Sequence, residues 1–259
     1  MLSRFKILEK IKEKREFSQL PEKDIEMAYS NFEKRQASEE EKIRLTKELL
    51  RKVFSAFFSK KLLSLKNKDE EWILRKHAST RERLSSYEKI YERIFKDFGN
   101  KFSVFDLGAG INGFSYKYFK ELGLDVNYIA VESVGQLTEL MNFYFKKKKL
   151  NGEAIHLSLF ELEKIKKIIR EQKGKKIIFL FKTLDSLEMI QKNYSLTLLK
   201  ELAPVVDRVV VSFATRSLGS REKFKAKRNW LVDFIKENFS VLNDFEIAGE
   251  RYIVFQRKS

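Results

Sequence analysis

Gly108, Gly110 and Gly113 follow an apolar run at residues 104–107 and spell G-x-G-x-x-G, with an acid, Asp106, set just ahead of them. A glycine turn between a strand and a helix lets the backbone approach a ligand closely and aims helix amides at it. A second acid, Glu132, ends the next apolar run about 20 residues on, the spacing of a carboxylate that accepts from both ribose hydroxyls. Ser158 and Leu159 follow a third apolar run, where a base would lie, with the hydroxyl at its edge and Leu159 on its face. Lys182 follows a fourth and faces the reacting end. These residue types in this order suit either a dinucleotide or S-adenosyl-L-methionine. Asp106 tilts the motif, written D-L-G-A-G, toward the methyl donor, because dinucleotide sites put a small or apolar residue there.

Such a site needs a parallel sheet whose strand ends converge, and the chain after Gly99 supplies the pattern. Short apolar runs at 102–107, 126–131, 154–157, 177–181 and 205–213 alternate with helical stretches at 114–122, 137–145, 160–170, 187–202 and 221–239. Alternation of this kind predicts an α/β fold with helices on both faces of the sheet. Two last runs, 241–248 and 252–256, read as a closing antiparallel hairpin. That ending belongs to the Rossmann-like methyltransferase version of the fold.

Before Gly99 the chain is charged and helical. Ile43, Leu45, Leu49, Leu50, Val53, Phe54, Phe57 and Phe58 form one apolar stripe, and residues 84–95 form another, with Ser79 or Thr80 as its cap and Gly99 as its end. The change of period divides the chain into a helical, basic domain over 1–97 and a sheet domain over 98–259.

Lys and Arg exceed Asp and Glu by 53 to 37, leaving +16 at neutral pH. So lopsided a balance points to a polyanion, with nucleic acid first. The chain has no cysteine and only two histidines, His77 and His156. That excludes a disulfide framework, a thiol nucleophile and a thiolate or imidazole metal cluster. His156 reads as structural, and Lys146 to Lys149 as a solvated helix end. Without a signal-peptide core or a membrane-length apolar run, we expect a cytoplasmic protein that binds no membrane and no metal.

Two further segments narrow the reading. HASTRERL, from His77 to Leu84, precedes the sheet, and VSFATRSLGSREK, from Val211 to Lys223, carries the fifth strand into a basic loop. With DLGAG between them, the chain resembles the aminoglycoside-resistance 16S ribosomal RNA (guanine-N7) methyltransferases over roughly residues 72 to 257. The resemblance implies that Gly108, Ala109 and Gly110 hold the cofactor with Asp106 beside them, Glu132 its ribose, and Ser158 and Leu159 its adenine. It implies Lys182 and Gln191 as pocket walls, and His77, Ser79, Thr80 and Arg81 as a segment closing over the methionine end, Arg81 pairing with the carboxylate. Lys182, Arg216 and Arg221 would serve the reaction by positioning the RNA or a flipped guanine. The implied partner is the small ribosomal subunit, approached by a monomer through its helical N-terminal segment. The family usually carries aspartate at the positions of Glu132 and Ser158, and often a proline where this chain has Asp185. Other readings remain: a methyltransferase of another RNA base, a non-catalytic RNA-binding protein on the same fold, and a dehydrogenase.

Overall fold

The structure is a computed structural model that describes residues 3–55, 68–215 and 228–258. Phe57, Phe58, Arg216, Arg221 and most of the basic loop after the fifth strand lie outside the described residues.

Seven strands form one sheet in the order β3-β2-β1-β4-β5-β7-β6. They are β1 Lys101–Leu107, β2 Asp125–Glu132, β3 Gly152–His156, β4 Lys176–Phe181, β5 Arg208–Ala214, β6 Phe239–Ile247 and β7 Glu250–Arg257. The first five run parallel, while β7 pairs antiparallel with β5 and with β6. β4 reads as an unbroken apolar run because both its faces are covered. Alternate residues serve opposite cores: Val104, Tyr128 and Phe179 join the cluster on one face, and Phe105, Ile129 and Ile178 the cluster on the other. The β6–β7 hairpin turns at Ala248 and Gly249, both at positive φ (53° and 77°), the twist that suits a two-residue hairpin.

The order reverses direction between β1 and β4, where parallel neighbours leave a crevice at their carboxyl ends. Helices frame it. In the N-terminal part these are α1 Arg4–Lys12, α2 Glu22–Glu33, α3 Glu39–Leu50, α4 Glu70–Leu74, α5 Ala78–Arg83 and α6 Tyr87–Phe95. Then come α7 Tyr116–Glu121, α8 Gly135–Lys148, α9 Leu162–Glu171, α10 Leu184–Ile190, α11 Tyr194–Leu202 and α12 Asn229–Asn238. Ser3, Ser38 and Asp69 cap α1, α3 and α4 through side-chain acceptors. A π-helical turn, Arg51–Ser55, extends α3.

Two elements depart from the sequence reading. The stripe at 84–95 is not one helix capped by Ser79 or Thr80: α5 starts earlier, with His77 at its N-cap position, and α6 restarts after Ser86. Thr80 instead lies inside α5, its hydroxyl bonded to Leu74 O at 2.5 Å. The stretch 187–202 is also two helices, because Asn193 takes a left-handed conformation (φ 64°) and Glu188 folds back to accept from Asn193 N at 2.6 Å and Ser195 N at 2.8 Å. A side chain that caps a helix internally leaves no mark on hydrophobic period.

The helical N-terminal part shares its core with the sheet. Ile7, Ile11, Phe17 and Ile25 belong to the same cluster as Val104, Phe119 and Tyr128. Tyr91 of α6 stacks on Phe119 at 4.4 Å, and Arg208 of β5 donates to Ile94 O and Lys96 O at 2.7 and 3.1 Å.

Candidate active site at the carboxyl edge of the sheet

The chain leaves β1 through Gly108 (φ 73°) and Gly110 (φ 58°), a backbone that a Cβ would strain. Space forbids one as well: a Cβ on Gly108 would stand 2.7 Å from Thr183 Cγ2, and one on Gly110 2.9 Å from His77 Nε2. Gly113 serves packing, since a Cβ there would meet Phe145 at 2.7 Å. Glu132 then locks the turn. Its Oε2 accepts from Gly110 N at 2.7 Å and its Oε1 from Val134 N at 2.8 Å. Burial raises this carboxyl above its ordinary value, against the pull of those two amides. Each oxygen keeps a second lone pair for a ligand.

Asp106 lies beneath the turn, not in it. It is fully enclosed and accepts from Asn112 Nδ2 at 2.8 Å and from the Tyr128 hydroxyl, while Tyr87 donates to Asn112 Oδ1 at 2.8 Å. Burial pushes its carboxyl up, and the two hydrogen bonds pull it back. It shapes the loop from below and is not part of the cleft lining.

Above the turn a cleft opens along the carboxyl ends of the strands. His77, Ser79, Gly108, Gly110, Glu132, Leu159 and Lys182 all line it. The structure thus gathers residues spread over more than a hundred positions of sequence. Lys182 sits at the end of β4 with φ 57°, a conformation costing a non-glycine residue about 1–2 kcal/mol. Its amide donates to Ser212 O at 3.1 Å. Its ammonium pairs with Glu82 of α5 and reaches Glu250 Oε2 at 3.3 Å. His77 is held neutral: burial, then Arg83 and Lys182, push its pKa down to about 3.

The other expected residues lie elsewhere. Arg81 is on the exposed side of α5 and does not line the cleft; the buried arginine of this segment is Arg83, paired with Glu250. Thr80 is spent on Leu74 O, and Ala109 on the turn. Gln191 is exposed at the end of α10, and Ser186 and Leu187 take its place in the wall. Ser158 is fully buried and absent from the lining. Its hydroxyl donates to Asp24 Oδ1 at 2.7 Å and accepts from Phe160 N at 3.1 Å.

Asp24 is the residue that sequence reasoning missed. It comes from α2, is 1% exposed, and lines the cleft. Burial raises its pKa to about 7, against the Ser158 hydrogen bond and the nearby Ser133 hydroxyl. No period or spacing marks an acid in a charged helix as a pocket residue. Val53 and Phe54, on the π-helical turn, were legible only as members of an apolar stripe. Asp185, where the resembled family often has proline, forms a two-oxygen pair with Arg228, with Nη2 to Oδ2 at 2.5 Å. That pair anchors the chain where it re-enters α12. Among the described residues no group of acids and imidazoles could hold a metal ion, and no helix is long and apolar enough to cross a membrane.

A parallel sheet closed by an antiparallel hairpin, with a glycine turn after β1 and an acid after β2, is the architecture of the Rossmann-like methyltransferases. The model of the family described as "Ribosomal RNA methyltransferase (FmrO)" matches residues 40–242, and the chain belongs to that family. A 16S rRNA (guanine(1405)-N(7))-methyltransferase of Proteus mirabilis is 25% identical over an alignment of 191 residues that covers 71% of this chain and 64% of the relative. The match therefore spans a little under two thirds of that relative's length. Among solved structures, the 16S rRNA methyltransferase RmtF, crystallised with S-adenosyl-L-homocysteine, superposes with a TM-score of 0.81 at 19% identity over the whole of both chains. The 16S rRNA methylase RmtB superposes at 0.77 and 19% identity over 98% of each.

Proposed function

We propose that this protein transfers a methyl group from S-adenosyl-L-methionine to guanine N7 in small-subunit ribosomal RNA, acting as a cytoplasmic monomer. One observation supports this most: His77 and Ser79 of the HASTRERL segment line the same cleft as the glycine turn and Glu132. The two family-like segments thus meet in one pocket.

The residues present fit the cofactor. Gly108 and Gly110 form a cradle that a Cβ would fill, Glu132 keeps lone pairs for ribose hydroxyls, and Leu159 offers an apolar face whose carbonyl Tyr194 holds at 2.6 Å. His77, Ser79 and Lys182 border the opposite end. When bound, the sulfonium supplies an activated methyl group. Guanine N7 already exposes a lone pair, so the chain needs no general base, which accords with a His77 made too weakly basic to take a proton near neutral pH and with the absence of cysteine. Its work is to place two reactants in line and exclude water, an effect worth on the order of 7–11 kcal/mol.

RNA would meet the basic N-terminal helices. Lys47 titrates below its ordinary value because it is partly buried and because Lys14, Lys10 and Arg51 crowd it. Like charges held together cost stability that a phosphate backbone would return. By the resemblance, Arg216 and Arg221 would add contacts to the RNA.

The test is methyl transfer to isolated small subunits with labelled cofactor, followed by mapping of the modified nucleotide through the strand scission that 7-methylguanine permits. Label at one guanine N7 is expected. Label on another base, or none on subunits that bind the protein, rules the proposal out.

A further inference from the structure

Asp24 is built like a ligand-binding group, buried at the cleft with one carboxylate oxygen fixed and the other open. Its Oδ1 is fixed by the Ser158 hydroxyl at 2.7 Å. Its Oδ2 is buried without a hydrogen-bond partner, even though the residue borders the cleft. The neighbouring Ser133 hydroxyl donates to Leu157 O at 3.5 Å instead. A buried acceptor left unpaired costs about 1–3 kcal/mol or more, so its retention calls for a donor that arrives with the ligand.

Position identifies that donor. The cleft runs along the strand ends, from Lys182 of β4, past the glycine turn of β1 and Glu132 of β2, to Leu159 beyond β3. Asp24 stands at the last of these, bonded to Ser158, with Leu159, Leu137 and Val53 as its apolar company in the lining. An apolar slot with one carboxylate oxygen at its edge suits a flat heterocycle carrying an exocyclic amine. On the adenosine of the proposed cofactor, bound through its ribose at Glu132, the ring carries a single such donor group, the 6-amine.

Resting on the proposed cofactor, we infer that Asp24 reads the adenine edge: Oδ2 accepts an N–H from the 6-amine, and helix α2 of the N-terminal segment is thereby part of the cofactor site. The rest of that segment is seated for the task. Asn31 of α2 donates to Ile190 O of α10 at 2.9 Å, and the α1–α2 connection abuts α8, where Gln136 Nε2 donates to Arg15 O at 3.3 Å. A ligand that holds Asp24 also holds α2, so cofactor binding and seating of the basic helices favour each other reciprocally.

Ser158 makes the inference sharply testable. Because its hydroxyl donates to Oδ1, an asparagine in place of Asp24 keeps its carbonyl on Ser158 and turns its NH₂ toward the cleft, replacing the acceptor by a donor. The experiment is calorimetry with S-adenosylhomocysteine and S-inosylhomocysteine, whose ring carries a 6-oxo group where adenine has the amine. Wild type is expected to prefer the adenosyl ligand by at least about tenfold. Asp24→Asn should reverse the preference, and Asp24→Ala should erase it, which gives a second reading if the asparagine variant fails to fold. Equal preference ratios in wild type and a folded variant overturn the inference while leaving the cofactor intact. A wild type that binds neither ligand removes the cofactor reading and the inference together.

Discussion

Arg83 and Glu250, 167 residues apart in sequence, meet beneath the cleft as an ion pair, with Nε 3.0 Å from Oε2 and 3.2 Å from Oε1. Both side chains are 2% exposed. Arg83 belongs to α5 and Glu250 opens β7, so the pair ties the segment that lines the pocket to the closing hairpin. Glu250 also accepts from Ser212 and lies 3.3 Å from Lys182 Nζ. Its carboxyl is therefore the hub on which α5, β4, β5 and β7 agree.

Removing one member of this pair leaves the other buried and uncompensated. Glu250→Ala should cost about 3–5 kcal/mol of stability in urea unfolding, whereas replacing Arg83 and Glu250 together by apolar residues of similar size should cost much less. The pair also dictates an acid limb. Burial pushes the Glu250 carboxyl up, but Arg83 and Lys182 outweigh it and hold the group below its ordinary value. A depressed carboxylate contributes stability above its unfolded pKa and loses it as pH falls through the folded one. Glu250→Gln should flatten the acid limb of the stability profile.

The glycine turn gives a second prediction. A Cβ at Gly110 must accept φ 58° and a contact of 2.9 Å with His77 Nε2. Gly110→Ala should lower stability by about 1–2 kcal/mol from the backbone alone and weaken cofactor binding as His77 is displaced. Pairing it with His77→Ala removes the clash but not the strain. Stability of the double variant should therefore exceed the sum of the single effects, a coupling readable from a double-mutant cycle.

Much of this was legible beforehand, because parallel strands covered on both faces announce themselves as apolar runs with fixed ends. β1 through β5, the hairpin and the placing of Gly108, Gly110, Glu132, Leu159 and Lys182 follow from that pattern. Side-chain direction did not. Arg81 and Arg83 are two residues apart on a short helix, and only packing decides that Arg83 turns inward to Glu250 while Arg81 faces solvent. Ser158 reads as a base contact until Asp24 arrives from 134 residues away and takes its hydroxyl. Contacts across such distances leave no local periodicity to find.

Asp24 sets a pH dependence of opposite sign to that of Glu250. Burial raises its pKa from 3.8 to about 7, with the Ser158 hydrogen bond and the nearby Ser133 hydroxyl acting against the rise and Glu132 and Glu161 adding to it. Tyr194 is the remaining titratable neighbour. The folded state holds the proton longer, so this contribution is fully present below pH 3.8 and lost as pH rises to about 7. Asp24→Asn should remove the decline, making the variant more stable than wild type at pH 8 by a few kcal/mol. The ligand should reverse the bias, since an N–H donor favours the ionised carboxylate. Cofactor binding near pH 6 should then release protons, seen as a dependence of calorimetric enthalpy on buffer, and Asp24→Asn should abolish that release.

The basic N-terminal helices supply the last test, in which stability and binding must move apart. Lys47 is held below its ordinary value first by partial burial and then by Lys14, with Glu13 opposing the shift and Lys10 and Arg51 adding to it. Lys47→Gln relieves that repulsion, so the folded protein should be at least as stable as wild type, more visibly at low salt where screening is weak. If the cluster exists to meet phosphates, the same change should weaken binding to small ribosomal subunits and reduce the slope of log affinity against log salt by about one contact. A surface lysine without an RNA role would change neither affinity nor slope. One substitution that raises stability and lowers RNA affinity would mark Lys47 as a cation retained for docking, whereas Arg51 already has a structural partner in Glu16 at 3.0 Å.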